Sequence, residues 1–568
     1  MRLRFLCLSV FLALFQLPSL AASVPLPIQA NPGYVTPTPQ TQLVPPPAQA
    51  KIRLDIQQLD ILNDGVDDPI KSGPYQKIIL EQGQYRLFSE EEIEQITRPF
   101  LDKVLSPEDL LKLRLLLNKQ CQEKGYITTH VVLKPHNEVP EHDDGGPPVL
   151  RLFLQMGTLK AIEVSAKHQL PWAAWSVRGL LKARINEDAP INIHALQETI
   201  DLLNQQSPYR LEATLKSDGL SVEAKQPNPW QISPFFDNQG RPYIGTLREG
   251  FTVSNQNLLG LGDRLSATPF FARGTRGVIT RYSLPVGPRG DEVAINYTFN
   301  RVDALFRPRK TTDVDAHTFV YTITYAHPWD RYRHLVSTIG FNYRNNDVLN
   351  NDVTLTHART NFVVFGQNFN YNDRWGQTSG RVEVAVGEAN NHRGTIVRNT
   401  NTLQRTINLP YRHQLSLRAL AQFTQNTLPI SQDVQIGGAY SVRGFSEGVR
   451  EGDQGYIINL EDRFPIPGLK RVSPWLDDRL RGVVFLDAAQ AFLDRNSPRF
   501  RPGVSNRFDR NSLLSTGFGL RARLTRFSQG FIDVGFGLVD RAHLEPYGQP
   551  SARVHFGIRS DLLPQVLR

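Results

Sequence analysis

From about residue 228 to the C-terminus the chain repeats short stretches that are apolar on one side and polar on the other. Val293, Ile295, Tyr297 and Phe299 alternate with Ala294, Asn296, Thr298 and Asn300. Phe319, Tyr321, Ile323 and Tyr325 alternate with Thr318, Val320, Thr322 and Thr324. Leu415, Leu417, Ala419, Ala421 and Phe423 alternate with Ser416, Arg418, Leu420 and Gln422. Side chains of a strand switch faces at every residue, so each stretch has one apolar face and one mostly polar face. A soluble β-sandwich gives the same local pattern. Its recurrence to the end of the chain, with almost no helical segment between and with frequent aromatics on the apolar side, predicts a membrane barrel with lipid outside and water inside. Pro285–Asp291 and Tyr371–Arg374 read as turns. At roughly 20 residues per strand and turn, residues 227–568 hold about 16 strands, with 14 and 18 left open.

Before the barrel the pattern changes to a β-α-α-β-β grammar that occurs twice, over residues 74–157 and 158–226. In the first copy Gln76–Leu80 reads as a strand, and Ser89-Glu90-Glu91-Glu92 is a capping box opening a helix. Ser106-Pro107 starts a second helix, with Leu110, Leu111, Leu113, Leu115, Leu116 and Leu117 as its apolar face and Lys124-Gly125 as its end. Strands Ile127–Leu133 and Val149–Gln155 follow. His142, Asp143 and Asp144, between them, read as a solvated loop, and no metal site is expected. The second copy has strands at Leu159–Val164, Tyr209–Leu215 and Leu220–Ala224 and helices at Pro171–Lys182 and Asn192–Gln205.

Residues 22–73 are a linker, Pro-rich at its start, with Pro45, Pro46 and Pro47 in a row. Within it Lys51–Leu62 has helical spacing at Ile52, Ile56, Leu59 and Leu62 and is assigned a short helix; Ile52, Leu54 and Ile56 also fit a strand. At the front, Arg2 and Arg4 precede the apolar run Phe5–Phe15 and the small residues of Ser19-Leu20-Ala21. This is the grammar of a secretory signal peptide over residues 1–21. The run is short for a spanning anchor.

Composition adds little that the pattern does not already carry. The chain has 568 residues, a formal charge of +9 and two cysteines. Beyond the signal only Cys121 remains, on a predicted helix, which rules out an intrachain disulfide and suits a small core residue. Arg and Lys form no compact basic motif, so nucleic acid is not an expected partner. Exported strands with no spanning helix between them fit the outer membrane of a Gram-negative-type cell, with outer-membrane lipid as surroundings.

Three motif clusters stand apart from the alternation. The first is Phe236-Asp237-Asn238-Gln239-Gly240 followed by Asn257-Leu258-Leu259-Gly260-Leu261-Gly262-Asp263. The second is Gly437-Gly438-Ala439-Tyr440-Ser441-Val442-Arg443-Gly444-Phe445, with Gly452-Asp453-Gln454-Gly455-Tyr456 after it. The third is Phe485-Leu486-Asp487-Ala488-Ala489-Gln490, with Thr516-Gly517-Phe518-Gly519-Leu520-Arg521 on the following strand.

On these motifs the chain resembles the outer-membrane transporters of two-partner secretion systems, within the superfamily of POTRA-plus-barrel translocases. The resemblance implies two tandem α/β POTRA domains followed by a transmembrane antiparallel β-barrel of about 16 strands. It implies that Val442, Arg443, Gly444 and Phe445 form the tip of a loop folded back into the barrel, with Arg443 against Asp487 on the wall. Phe485, Ala489, Gly517 and Gly519 belong to the wall motif, where Ala489 replaces the usual Gly and its methyl is expected to press on the loop tip. The chemistry stands by itself as well. Asp487 shares a strand face with Phe485 and Ala489, and a guanidinium binds a carboxylate in such a place with two parallel hydrogen bonds.

The resemblance further implies a periplasmic receptor for an unfolded exoprotein, an adhesin or haemolysin, exported without ATP. Barrel assembly machinery is a partner during biogenesis, and residues 51–62 are the candidate for a pore plug. The alternative within the superfamily is a barrel insertase. No cofactor and no catalysis are expected, and no His-Glu-x-x-His zinc motif occurs.

Overall fold

The computed structural model divides into two units, one within residues 45–227 and the other built on residues 228–568. It describes residues 53–54, 77–101, 104–132, 149–159, 161–166, 173–186, 189–216, 219–226, 228–241, 245–287, 290–303, 314–330, 332–350, 353–390, 392, 394–497, 499–500, 502, 505–506, 511–525, 527–539 and 552–562. The signal peptide, the Pro-rich stretch and the loop of His142, Asp143 and Asp144 lie outside these residues.

The first unit holds β1 (Arg53–Leu54), β2 (Lys77–Glu81), β3 (His130–Val132), β4 (Val149–Gln155), β5 (Ile162–Ser165), β6 (Arg210–Lys216) and β7 (Gly219–Lys225). In the first module β4 is central, parallel to β2 and antiparallel to β3. In the second β7 is central in the same way, parallel to β5 and antiparallel to β6. Helices Glu90–Thr97 and Pro107–Glu123 belong to the first module, and Ala173–Lys182 and Ile193–Gln206 to the second. Ser89 and Ser106 both close capping boxes, which satisfy backbone donors at the helix starts.

Two expectations are corrected in this unit. Helix Pro107–Glu123 buries Leu110, Leu113, Leu117 and Cys121, whereas Leu111, Leu115 and Leu116 are exposed. The buried four follow the 3.6-residue period, so the other leucines fall on different faces. In the stretch assigned a short helix over residues 51–62, Arg53 and Leu54 instead form β1, parallel to Thr214 and Leu215 of β6. Here the open edge of the sheet supplies hydrogen-bond partners that a lone helical turn lacks. The remainder of that stretch lies outside the described residues.

The second unit is a closed antiparallel barrel of sixteen strands. They are β8 (Trp230–Asp237), β9 (Arg248–Asn255), β10 (Arg264–Ala272), β11 (Thr275–Val286), β12 (Asp291–Asp303), β13 (Val314–Pro328), β14 (Leu335–Asn350), β15 (Val353–Asp373), β16 (Gly376–Ala389), β17 (Ile396–Asn408) and β18 (Gln414–Thr424), then β21 (Gln454–Pro465), β22 (Leu480–Phe492), β23 (Ser512–Arg523), β24 (Ser528–Gly537) and β25 (Ala552–Ser560). The loop between β18 and β21 carries its own hairpin, β19 (Val434–Ile436) with β20 (Arg450–Gly452).

Burial inverts the order of a soluble protein. Ile295 and Ile323 are 49 % and 54 % exposed, while Asn296 and Asn300 are 7 % and 3 % exposed. The apolar set faces outward, where Tyr297, Tyr321 and Tyr343 line up across β12, β13 and β14. The polar set faces a lumen filled by side chains and by the long loop. The barrel closes between β25 and β8 through only three residue pairs, Asp237 to Phe235 against Gly557 to Arg559. Beyond them Leu562 donates to the Ile232 carbonyl at 2.8 Å, and Asn238 bonds both Phe556 and Val554.

Candidate functional site: the loop seated in the barrel lumen

Arg443 is 5 % exposed and Asp487 fully buried. On β22 every second residue faces the lumen, which puts Phe485, Asp487 and Ala489 in one inward row. Arg443 Nε donates to Asp487 Oδ2 at 2.8 Å and Nη2 donates to Oδ1 at 2.9 Å. The Arg443 backbone N–H adds a third bond to Oδ2 at 3.1 Å. Its guanidinium also lies 3.6 Å from the centre of the Phe485 ring, so the aromatic face covers a charge already satisfied in its plane.

Five further side chains complete the seat; Arg521 lies in the third motif cluster, whereas Glu461, Asp533, Asn459 and Arg463 lie in none. Arg443 Nη1 donates to Glu461 Oε2 at 2.6 Å and to Asp533 Oδ2 at 3.3 Å. Asn459 Nδ2 donates to Asp487 Oδ1 at 2.9 Å and also holds the Ser441 carbonyl. Arg521 bridges Asp533 and Glu461, and Arg463 donates to Glu461 Oε1 at 2.7 Å. Arg443, Arg463 and Arg521 thus share Glu461, Asp487 and Asp533, and a fourth guanidinium, that of Arg418, stands near Glu461. Burial works against the Arg443 charge, but its bonds to Asp487 and the neighbouring carboxylates outweigh this and raise its pKa further. The legible signal for Glu461 and Asp533 was the parity of their positions: each is an acidic residue on the lumen side of a strand with apolar outward neighbours, Leu460 and Ile532.

The glycines make room for this arrangement. A Cβ on Gly519 would lie 2.0 Å from Asp533 Oδ1, and one on Gly517 would lie 2.4 Å from Phe485 Cζ and 2.1 Å from the Val534 carbonyl. Gly444 has φ +95°, and its Cβ would meet the Gly535 carbonyl carbon at 2.8 Å. Its N–H donates to His555 Nε2 at 3.2 Å. Val442 and Phe445 are fully buried in an apolar cluster with Val434, Ile436, Ile457, Ala489, Ala491 and Leu513. Ala489 belongs to the same cluster, so its methyl packs among apolar neighbours beneath the loop tip.

The other motifs fall on two sites. Asp237 takes two bonds from Arg248, at 2.8 and 3.0 Å, and Gln239 takes a third at 3.0 Å. Asn257 and Asp263 staple the turn between β9 and β10: Asp263 accepts from Leu259 N–H at 2.9 Å, and Asn257 accepts from Gly262 N–H at 2.7 Å. Gly260 and Gly262 take φ of 78° and 80° there, which explains their place in the motif. That turn is a structural device.

Glu447, in the same long loop, accepts the Ala439 N–H at 2.6 Å. Burial pushes its carboxyl up to about 7, against the Ala439 bond and the charges of Arg248 and Arg241. The folded loop thus keeps a proton that an unfolded Glu has released, and this contribution is lost as pH rises from about 5 through about 7. Protease cleavage of the loop in the purified chain is expected to quicken over that range, and Glu447→Gln is expected to lessen the dependence, burial pushing Asp433 of the same loop up to about 7 as well. A slope unchanged in the variant would place the titration elsewhere.

Comparison with known proteins follows the same architecture. The family described as haemolysin secretion/activation protein ShlB/FhaC/HecB matches residues 217–488. The family described as POTRA domain, ShlB-type, matches residues 74–141. Among solved structures, CdiB from Escherichia coli is similar at 18 % identity and a TM-score of 0.61, over 89 % of this chain and 96 % of that one. CdiB from Acinetobacter baumannii is similar at 16 % identity and a TM-score of 0.57, over 99 % and 97 %. BamA from Haemophilus ducreyi lacking POTRA domains 1-3 is similar at 16 % identity and a TM-score of 0.56, over 86 % and 100 %. At these identities the likeness is one of fold. No curated protein sequence matches the chain.

Proposed function

We propose that the chain is an outer-membrane two-partner secretion transporter, a reading supported by the match of the ShlB/FhaC/HecB model to residues 217–488 and of the ShlB-type POTRA model to residues 74–141. It captures an unfolded exoprotein, adhesin- or haemolysin-like, with its periplasmic modules and passes it through the barrel to the cell surface. The observation that carries this reading is the lumen-seated loop: a barrel built as a passive pore has no use for Arg443 locked onto three wall carboxylates.

Capture rests on sheet edges. Among the described residues β3 pairs with β4 alone, and an extended client adds naturally to such an edge. Asn118 already accepts from the Val131 N–H at 2.7 Å, so part of this edge is occupied and register is restricted. No Gly-x-x-x-x-Gly-Lys loop occurs in the sequence, and the proposed energy source is folding of the client outside. Arg443 and Asp487 serve as the loop's latch and carry out no bond chemistry.

The test is secretion of a large exported β-helical protein encoded beside this chain. Removing the transporter is expected to trap that client in the periplasm while other outer-membrane barrels insert normally. Unchanged secretion would reject the client, and a general loss of barrels would support the insertase reading, which the three-pair closure of β25 on β8 favours.

A further inference from the structure

The long loop touches the wall in a second place. Its stem makes a single 3-10 turn at Ile430–Gln432. Leu428, just before it, is buried with Phe362, Ala385, Ala389 and Ile396 of β15, β16 and β17. Arg344, on β14, donates from Nη1 to the Ser431 carbonyl, and Arg398, on β17, donates from Nη1 to Gln432 Oε1. Gln432 Nε2 donates to Thr360 Oγ1 of β15 at 3.3 Å, and its carbonyl accepts from Gln422 of β18 at 2.9 Å. The stem therefore rests on β14 to β18, and the tip on β21 to β25.

The two places are charged very differently. At the tip Arg443 faces three carboxylates. At the stem Arg344, Arg381 and Arg398 share Glu383 alone, which bonds Arg381 at 2.7 Å and Arg398 at 3.4 Å. Among the described residues Arg344 is 6 % exposed and has no ion-pair partner. It holds only a neutral carbonyl, and Arg398 stands near enough to repel it. A buried guanidinium held by neutral acceptors beside a like charge forms a weaker seat than one neutralised by a two-bond carboxylate fork. Arg344 and Arg398 therefore hold the stem to β14 and β17 more weakly than Asp487 holds the tip; beside them Asp433 is paired with Arg499, on the segment between β22 and β23, at 2.6 Å.

We infer that Arg344 and Arg398 are positioning residues that form a second, weaker seat for the loop, and that the stem leaves this seat, with the tip still on Asp487, when the channel opens. The inference rests on the reading of the barrel as a loop-gated channel, but its test needs no client.

Thr360→Cys with Gln432→Cys bridges the stem to the wall, and Ser441→Cys with Asn459→Cys bridges the tip. The chain's own Cys121 is buried and does not compete. Each pair is joined in the purified full chain with a short bis-methanethiosulfonate cross-linker, which forms a reducible disulfide to each thiol by displacing methanesulfinate, and conductance is read in a planar bilayer. The stem bridge is expected to abolish opening and reduction to restore it, whereas the tip bridge leaves opening intact. Opening that survives the stem bridge, or that the tip bridge abolishes, overturns the inference.

Arg344→Ala with Arg398→Ala is expected to raise the open fraction on the order of tenfold, the size expected for losing hydrogen bonds to charged groups. Lysine at both positions is expected to return it toward the parent value. An open fraction unchanged by alanine, in a barrel whose heat-modifiable gel mobility shows that it has folded, also overturns the inference. Correct conductance responses in a chain that exports no client would reject the proposed function and leave this inference standing.

Discussion

Arg443→Ala is expected to reduce export of the partner protein by at least about tenfold while the barrel still forms, the effect following from the unpaired buried charge it leaves. Asp487 loses both bonds of the fork and the cation that neutralises it, keeping only Asn459 among its side-chain donors. Arg521 and Arg463 still serve Asp533 and Glu461, so the damage concentrates on Asp487. Breaking a buried pair typically costs about 3–5 kcal/mol, which biases the loop away from its seat by a factor of about a hundred or more; access of lumen water lowers that figure. Arg443→Lys restores charge without the planar fork and is expected to recover only part of the activity. Secretion of the client, read beside heat-modifiable migration of the barrel on a gel, measures this. Export at the parent level from Arg443→Ala would remove the latch from the mechanism.

The second large effect is steric. Gly535→Val is expected to expel the loop tip with every charge still in place. A Cβ at Gly535 would stand 2.5 Å from the Gly444 nitrogen and 2.6 Å from the Arg443 carbonyl carbon. These are backbone atoms of the tip, so no rotamer relieves the clash. Gly530→Ala, on the same strand, meets its nearest neighbour at 3.3 Å and is the matched control. A thiol reagent attacking Val442→Cys is expected to react quickly in Gly535→Val and slowly in the control, because Val442 is fully buried in the seated loop. Equal protection in both would mean that the tip does not pack against β24. Charge removal and steric expulsion reach the same displaced loop by independent routes, so agreement between them would locate the function in the seating itself.

Much of the architecture was legible because its signals are local. The alternation of Val293 to Asn300 predicts a strand wherever it occurs, and the capping boxes at Ser89 and Ser106 open helices using residues three positions apart. The leucine-rich helix shows where such signals end. Its six leucines read as one face, yet only Leu110, Leu113 and Leu117 reach the core, because the fold of the module chooses among faces that are all apolar. Arg53 and Leu54 show another limit. Their pairing with β6 joins residues some 160 positions apart, and no local propensity announces it.

By itself the sequence determined the class of the protein: an alternating wall long enough to close, two α/β modules before it, and an arginine and an aspartate in motifs that belong together. Tertiary structure decided who meets whom in the lumen. Glu461 and Asp533 join Asp487 around Arg443, Gly535 lies against the tip, and Arg344 with Arg398 receives the stem. Each of these depends on the register of neighbouring strands and on barrel closure, which bring distant positions together. The period of two says which face a residue occupies and is silent about the partner across the lumen.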